Sequence, residues 1–325
     1  MSVIPMTGLQ CRCPVVVGAL MLASLAVACS GGGATPPGPP GGPSPFDPPA
    51  PLTPQIAVMV GAGDIADCVA ADRGANAEAT AKLIDKIAGT VFTTGDNAYF
   101  NATAADFRNC YDPRWGRHKG RTYPSPGNHE YQSPGALPYF DYFGDRAGPR
   151  GAGFYSYTLG NWHIISLNSE VGVSQGQEQY VWLRDDLEEN RARERATRTR
   201  CTLAYWHTPL FTSGPSGGTS GRMREIWNLL YEFGVDVAVT GHDHIYERFA
   251  PQDGAGRRDA FGIQEFIVGT GGAPLYDFNA PGPNSLFRLK AFGVLKLTLR
   301  DVGYDSVFVE AGSELQHDTF NSLCH

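Results

Sequence analysis

Short runs of β-forming residues alternate with helical stretches along the chain from residue 56 onward. The runs are rich in valine, isoleucine, phenylalanine, tyrosine and threonine, and glycine, asparagine or aspartate bounds them, as is typical of strands between turns. Nine strands are predicted, over residues 56–63, 90–94, 154–159, 162–168, 202–206, 235–240, 264–269, 293–299 and 306–310. Three helices are predicted, over residues 76–87, 178–194 and 223–232. This alternation, with a strand-dense last third, predicts an α/β fold of two packed β-sheets flanked by helices in a single domain.

Polar residues cluster in five segments, most of them where a predicted strand ends. The segments read GDIA from Gly63, GDNAY from Gly95, GNHE from Gly127, WHTP from Trp206 and GHDHIYER from Gly241. Glycine opens four of them, which lets the backbone turn sharply and bring a short side chain inward. In α/β folds, ligands gather beyond the carboxyl ends of the strands. We therefore expect the five segments to converge on one crevice.

Each segment taken alone has an ordinary structural explanation. A Gly-Asp pair after a strand is usually a turn or a helix cap, and a lone histidine such as His207 is usually a hydrogen-bonded core residue. His242 and His244 are a stronger signal, because alternate residues of an extended segment share one face. Carboxylates, an amide and three imidazoles in this order are hard to explain by turns and core residues. Together they predict a site for two metal ions.

The order of these motifs resembles that of the purple acid phosphatases and their bacterial relatives, a branch of the calcineurin-like metallophosphoesterases. The resemblance extends over residues 56–310 and implies the metallophosphoesterase αββα sandwich, with one catalytic domain over residues 55–325. Matched motif by motif, it implies one metal ion held by Asp64, Asp96, Tyr99 and His244 and a second held by Asp96, Asn128, His207 and His242. Asp96 would then bridge the two ions.

The charge of the chain agrees with a metal-dependent site. The sequence has 26 lysines and arginines against 33 aspartates and glutamates, a formal net charge of −7. Such a chain has no long-range attraction for nucleic acid, which we do not expect as a partner. A bridging carboxylate holds two ions about 3.5–4 Å apart, a spacing suited to phosphoryl transfer. Two such ions outweigh the three anionic ligands and would attract a small phosphoester substrate.

Tyr99 indicates which ion occupies the first position. Many metallophosphoesterases place a histidine two residues after the first motif aspartate, where this chain has Ala66, and Tyr99 is the replacement ligand that the resemblance implies. A phenol has a pKa of about 10, so its binding as phenolate requires a hard, highly charged ion. We therefore expect Fe(III) in the first position and a divalent ion (Fe, Zn or Mn) in the second. The alternative is a buried tyrosine that packs beneath two divalent ions.

His129 follows a predicted ligand, Asn128, and cannot easily reach the same ion. We assign it to protonating the leaving group or to binding the phosphate. Glu130 either orients His129 or is an ordinary acidic residue at a helix N-terminus.

The expected function is hydrolysis of phosphate monoesters by attack of metal-bound hydroxide, in the manner of an acid phosphatase. One alternative is a phosphodiesterase or nucleotidase of the same superfamily. A second alternative is a non-catalytic lipoprotein that binds metal or phosphate. Where plant members of the family carry substrate-binding histidines, this chain has Ser216 and Gly217, and Asn101 replaces a family acid. Substrate preference and pH optimum therefore do not transfer, and the oligomeric state stays open.

The N-terminus has the features of an export signal. Residues 1–28 contain Arg12 followed by an apolar run, and the run ends in small residues before Cys29, which resembles a bacterial lipobox. The alternative is plain secretion with cleavage after Ala28. Residues 29–54 are rich in glycine and proline and are expected to form a disordered tether. We expect an exported protein, either a lipoprotein of the bacterial cell envelope anchored through Cys29 or a secreted one, with no other membrane contact.

Four further cysteines follow the tether. Cys68, Cys110, Cys201 and Cys324 are an even number, which favours disulfides in an oxidising compartment. Three pairings are possible. We favour Cys68–Cys110 and Cys201–Cys324, because Cys324 would then pin the C-terminal tail.

Overall fold

Two mixed β-sheets form the centre of the structure, a computed structural model that describes residues 55–193, 199–216 and 221–325. Within those residues the strands are β1 (Ala57–Ala62), β2 (Thr90–Thr94), β3 (Thr122–Ser125), β4 (Tyr155–Leu159), β5 (Trp162–Ser166), β6 (Cys201–Tyr205), β7 (Val237–Thr240), β8 (Tyr246–Phe249), β9 (Gln264–Val268), β10 (Ser285–Leu289), β11 (Gly293–Arg300), β12 (Gly303–Glu310) and β13 (Gln316–Leu323). The first sheet has the order β13-β12-β11-β1-β2-β3, and the second has the order β10-β8-β9-β7-β6-β5-β4. The predicted two-sheet α/β sandwich is confirmed.

Each sheet contains a group of neighbouring parallel strands. In the first sheet, β1, β2 and β3 run parallel, with Val60 opposite Val91 and Phe92 opposite Tyr123. In the second sheet, β5, β6, β7 and β9 run parallel. Antiparallel strands complete both sheets on their outer sides. The segments that follow the parallel strands therefore leave each sheet at the same edge.

Five α-helices in the described part of the chain connect and cover the strands. They are α1 (Ala75–Lys86), the one-turn α2 (Ala104–Asp106), α3 (Leu137–Phe143), α4 (Glu178–Ala192) and α5 (Arg224–Glu232). Leu183 and Leu187 of α4 are buried against the second sheet, and Tyr180 packs on the same cluster, as the helical spacing predicts. In the part of the chain that the structure describes, no helix is both long enough and apolar enough to cross a membrane.

Aromatic side chains fill the space between the two sheets. The rings of Phe92 in the first sheet and Tyr205 in the second have centroids 5.8 Å apart. Tyr246 and Phe308 make an equivalent contact at 4.3 Å, again across the sheets. Such pairs add about 0.5–1.5 kcal/mol beyond the area they bury. The sheets are thus held in a fixed relation, and the segments at their edges face each other across a constant gap.

Two disulfides tie peripheral segments to this frame. Cys68 is bonded to Cys110, and Cys201 at the start of β6 is bonded to Cys324 after β13, which are the pairs that the sequence favours. The second bond joins the two sheets at the C-terminus. The two bonds close loops of 42 and 123 residues. By lowering the conformational entropy of the unfolded chain, they stabilise the folded state by about 4 and about 5 kcal/mol, respectively.

Four strands and two helices of the structure escape prediction from the sequence. The missed strands are β3, β8, β10 and β13, and the missed helices are α2 and α3. β3 contains Pro124, and β13 is an edge strand with mostly polar residues, so neither has the expected pattern. The predicted helix over 178–194 ends at Ala192, and residue 194 lies outside the described residues. The predicted signal peptide (1–28), tether (29–54) and lipid site Cys29 also lie outside them.

Candidate metal centre

The predicted site residues meet at the edge where the parallel strands end. Asp64 follows β1, Asp96 and Tyr99 follow β2, and Asn128 follows β3, so all of them leave the first sheet. The histidines come from the opposite side, His207 after β6 and the pair His242 and His244 after β7. The seven predicted metal ligands therefore share one pocket, although they come from five separate segments.

Three of these residues adopt a backbone conformation that side chains normally avoid. The φ angles of Asp64, Asp96 and His242 are 57°, 49° and 67°. This left-handed region costs on the order of 1 kcal/mol or more for an ordinary residue and is often retained at functional sites. A backbone hydrogen bond holds each residue there: Asp64 N–H donates to Gly95 O at 3.0 Å, Asp96 N–H to Glu130 Oε2 at 3.0 Å, and His242 N–H to Asp64 Oδ2 at 2.8 Å.

Glycine is needed at two positions next to the predicted ligands. A Cβ at Gly127 would lie 2.3 Å from Asp96 Oδ1 and 2.8 Å from the His207 ring. A Cβ at Gly95 would lie 2.7 Å from His207 Nδ1, and its φ angle of 90° also disfavours any other residue. The close approach of the two sheets at the site therefore depends on these glycines.

The first half of the pocket is built around the Tyr99 hydroxyl. This oxygen lies 3.0 Å from Asp64 Oδ1, 3.2 Å from Asp96 Oδ2 and 3.1 Å from His244 Nε2. His244 donates its Nδ1–H to Pro274 O at 2.7 Å, because a carbonyl oxygen can only accept. Nε2 of His244 is therefore the nitrogen directed at the pocket, 3.2 Å from Asp64 Oδ1.

The second half of the pocket brings neutral donors together. His207 donates its Nδ1–H to Thr94 O at 2.8 Å, which directs Nε2 at the pocket. Asn128 Oδ1 lies 3.0 Å from both His207 Nε2 and His242 Nδ1, and the two ring nitrogens are 3.2 Å apart. Asn128 Oδ1, His207 Nε2 and His242 Nδ1 can each offer a lone pair, and they converge on one point. Three acceptors so close together cannot hydrogen-bond one another well, but they can bind a cation together.

Asp96 takes part in both halves through a single oxygen atom. Its Oδ1 is occupied by the backbone N–H of His129 at 2.9 Å. Its Oδ2 lies 3.2 Å from the Tyr99 hydroxyl and 3.2 Å from His207 Nε2, the nearest members of the two halves. One carboxylate oxygen between two donor sets is the arrangement that a bridging ligand requires.

The electrostatics of the pocket favour bound positive charge. Burial alone would lower the pKa of His207, but the carboxylate of Asp96 raises it to about 10. Burial alone would raise the pKa of Asp64 and of Asp96, yet His244 lowers the first and His207 holds the second well below its usual range. The carboxylate of Asp64 likewise raises the pKa of His244 against the effect of burial, whereas burial and the charge of His207 lower the pKa of His242. Protons on His207 and His244 therefore balance the carboxylates when no cation is bound. The donor atoms fit two metal ions, which would take the place of those protons.

Tyr99 behaves differently from the carboxylates. Burial raises its pKa well above the ordinary value, and the nearby charges of Asp64 and Asp96 raise it further. The phenol therefore keeps its proton in this pocket unless a cation is bound beside it. Only an ion of high charge density is expected to displace that proton at neutral pH.

His129 lies beside the donor atoms without joining them. Its Nδ1–H donates to Phe100 O at 2.6 Å, so its Nε2 is directed at the pocket, 3.8 Å from Asp96 Oδ2. Its ring also packs on Tyr99 with centroids 4.3 Å apart. A histidine held by a carbonyl at one nitrogen can carry a proton at the other, which suits an acid that donates to a leaving group.

Glu130 has a role that neither sequence-based alternative describes. Its side chain is buried, and its carboxylate accepts N–H groups of Gly127 at 2.7 Å, Asn97 at 2.9 Å and Asp96 at 3.0 Å. It therefore ties together the two loops that carry Asp96 and Asn128, rather than orienting the His129 ring. Burial raises the pKa of Glu130 to about 8 and Asp96 adds to the rise, while the N–H groups of Gly127 and Asn97 oppose it.

Two further residues border the site that sequence reasoning missed. Tyr276 stacks on the His244 ring with centroids 4.1 Å apart, and its backbone N–H donates to His244 O at 3.0 Å. Asp243 accepts the Thr212 hydroxyl at 2.6 Å and the Ser216 N–H at 3.0 Å. It thereby fixes the loop that carries Ser216; Gly217 lies outside the described residues. Asp243 could have been suspected from the sequence, because it lies between the predicted ligands His242 and His244. No pattern along the chain indicates Tyr276.

Comparisons with known proteins identify the family to which the chain is similar. A family model described as calcineurin-like phosphoesterase matches residues 60–246, more than half of the 325 residues. The chain is 31% identical over 181 residues to purple acid phosphatase 18 of Arabidopsis thaliana, which covers 51% of this chain and 40% of that protein. It is 30% identical over 206 residues to acid phosphatase type 7 of Homo sapiens, which covers 53% of this chain and 45% of that protein. The chain thus spans less than half the length of these two relatives.

Solved structures share the fold at lower identity. The purple acid phosphatase PPD1 from yellow lupin (Lupinus luteus) seeds superposes with a TM-score of 0.68 at 19% identity, covering 84% of this chain and 55% of that one. GAP50, the anchor in the inner membrane complex of Plasmodium, superposes with a TM-score of 0.62 at 14% identity, covering 83% of this chain and 90% of that one. At such identities the likeness shows the fold alone.

Proposed function

The chain belongs to the calcineurin-like phosphoesterase family, and from this premise we propose that it hydrolyses phosphate monoesters with the help of two metal ions. The observation that carries the proposal is the position of Asp96 Oδ2 between the two donor sets, 3.2 Å from Tyr99 on one side and 3.2 Å from His207 on the other. Acid phosphatases among the relatives support the same chemistry.

The proposed first ion is bound by Asp64, Asp96, Tyr99 and His244, and the proposed second ion by Asp96, Asn128, His207 and His242. The phenol of Tyr99, with its raised pKa, favours Fe(III) in the first set, and the amide and imidazoles favour divalent Fe, Zn or Mn in the second. When bound, the two ions would supply a nucleophilic water at neutral pH and neutralise the charge of the phosphate.

The protein's own groups have separate tasks in this proposal. His129 presents Nε2 to the pocket and gives a proton to the departing alcohol, while Phe100 O holds its other nitrogen. Glu130 keeps the loops of Asp96 and Asn128 at a fixed separation through its hydrogen bonds to backbone N–H groups. Both roles rest on the geometry around the donor atoms, and neither residue is a proposed metal ligand.

We also propose that the protein is exported. The two disulfides support this, because such bonds persist in oxidising compartments. Residues 1–28 would be the signal, and residues 29–54 the tether of a domain that is either secreted or anchored through Cys29. The lipid anchor is testable by mass spectrometry of the purified N-terminus, with Cys29→Ser as the control, because the variant would lose a diacylglyceryl mass.

One experiment tests the function and separates it from its alternatives. Metal content is measured on the purified full chain, and 4-nitrophenyl phosphate is compared with bis(4-nitrophenyl) phosphate as substrate. We expect two ions per chain and turnover of the monoester well above that of the diester. Chelation should remove the ions and abolish the turnover. A preference for the diester would favour a phosphodiesterase. A metal-replete protein that cleaves neither would favour a binding protein.

A further inference from the structure

An exposed aromatic side chain lies at the edge of the polar pocket. Phe100 follows Tyr99 directly, and 57% of its surface is exposed. Its ring is nearly perpendicular to the His129 ring, at 82° with centroids 4.6 Å apart, and its carbonyl oxygen accepts the His129 Nδ1–H. Packing against the core does not account for the Phe100 side chain, because most of its apolar surface is in water.

A second aromatic ring stands at the other end of the same group of residues. Tyr276 is partly exposed and lies flat on His244, with an angle of 12° between the ring planes. No hydrogen bond to its hydroxyl is found among residues 55–193, 199–216 and 221–325.

These rings form one continuous arc around the first half of the pocket. The arc runs from Phe100 through His129, Tyr99 and His244 to Tyr276, and successive centroids are 4.6, 4.3, 6.1 and 4.1 Å apart. The polar groups of the three central rings are directed at the pocket. Of the two end rings, Phe100 is mostly exposed and Tyr276 is partly exposed. A substrate bound in the pocket would therefore meet aromatic surface on the side of His129.

We propose that Phe100 selects phosphate monoesters whose leaving group is an aromatic alcohol. This inference rests on the proposed function, because it takes His129 as the group beside the departing oxygen. An aryl group next to His129 Nε2 can pack against the exposed Phe100 ring, whereas a small alkyl alcohol leaves that ring in water. Aromatic pairs of this kind favour binding on the order of 3- to 10-fold.

The contact would act on binding more than on the chemical step. The aryl ring touches Phe100 before and during departure, so the contact stabilises the ground state and the transition state alike. Loss of the Phe100 ring should therefore raise KM for an aryl ester and leave kcat nearly constant. A residue that merely supported His129 would lower kcat for every substrate.

The test uses two phosphonates that cannot be hydrolysed, phenylphosphonate and methylphosphonate. Their dissociation constants are measured by calorimetry on the metal-replete full chain, the Phe100→Ala variant and the Phe261→Ala variant. Phe261 is the matched control, because it is 70% exposed and its ring neighbour is His325. We expect the preference for phenylphosphonate over methylphosphonate to fall about 3- to 10-fold in Phe100→Ala and to stay constant in Phe261→Ala.

An unchanged preference in Phe100→Ala would overturn the inference while leaving the proposed function intact. An equal loss for both phosphonates would overturn it too, because it would indicate a general disturbance of the pocket. Binding and turnover are separate readouts: if the wild-type protein shows the aryl preference yet cleaves no monoester, the proposed function fails, and the inference is then reduced to an aryl-binding contact of Phe100. The Tyr276→Phe variant gives a second check, since it keeps the stacked ring and should retain most of the preference.

Discussion

The two sheets contribute different chemistry to the same pocket. The first sheet supplies every oxygen donor, from Asp64, Asp96, Tyr99 and Asn128, and the second sheet supplies all three imidazoles, from His207, His242 and His244. The oxygen side carries the negative charge, whereas the nitrogen side is neutral unless it is protonated. The pocket therefore exists only where the sheets meet, and each proposed ion takes ligands from both.

The difference between the sheets also distinguishes the two proposed ions. The first position has two carboxylates and a phenol against one imidazole, and the second has one shared carboxylate and an amide against two imidazoles. Hard, highly charged ions prefer the first set, and divalent ions accept the second. Variants that remove one ligand at a time should therefore affect the two ions differently.

The largest effect is expected at the atom that joins the two sheets. Asp96→Asn replaces the shared carboxylate oxygen with an amide and removes the negative charge that raises the pKa of His207. Both ions should bind much more weakly, and turnover should fall by at least about 10³-fold. Metal content and monoester hydrolysis measure the result. Asp305→Asn, at an exposed pair with Arg300, is the control. Tight binding of two ions with normal rates would show that Asp96 is not the bridge.

His129 follows a strand of the first sheet, whereas all three imidazoles of the proposed ligand set follow strands of the second. We therefore expect His129 not to be a ligand. His129→Ala should keep both ions and lower kcat by about 10²–10⁴-fold, the usual scale for a general acid. Loss of an ion from a correctly folded variant would mean that the assignment is wrong. The His129→Gln variant helps to separate phosphate binding from protonation of the leaving group, because glutamine can still donate a hydrogen bond but cannot donate a proton.

A smaller and one-sided effect is expected at Asn128. Its oxygen lies 3.0 Å from the ring nitrogens of both His207 and His242, which belong to the second half of the pocket. Asn128→Ala should weaken the second ion, by about 10- to 100-fold in affinity, and retain the first. Titration of the two ions, followed separately by elemental analysis, measures this. Equal weakening of both ions would show that the halves are not independent.

The meeting of the site residues could be predicted from the sequence where a residue able to bind metal directly follows a strand. Asp64, Asp96, Asn128 and His207 each stand at the end of a strand, and the parallel arrangement of those strands brings them together. Tyr276 could not be predicted, because it reaches His244 from a loop with no motif. Glu130 was visible in its motif, yet its role depends on backbone N–H groups from two other loops, which no spacing shows.

The same reason explains the strands that prediction missed. β1 and β2 are buried, so their apolar residues reveal them. β10 and β13 lie at the edges of their sheets and are partly or largely exposed, so their sequences carry little hydrophobic pattern. Their positions follow from pairing with neighbours distant in sequence, such as Phe287 with Arg248. Pairing of this kind is a property of the folded chain and leaves no local signal.

The central claim, that the oxygen-rich half holds Fe(III) through Tyr99, is tested most directly by the colour of the protein. A phenolate bound to Fe(III) should give a broad visible absorption, so concentrated, iron-replete wild-type protein should be pink to purple. Tyr99→Phe should lose that absorption while His129→Ala, which leaves the proposed ligands in place, retains it. Iron-replete and active wild-type protein without colour would contradict the account, because Tyr99 could not then be a ligand of Fe(III).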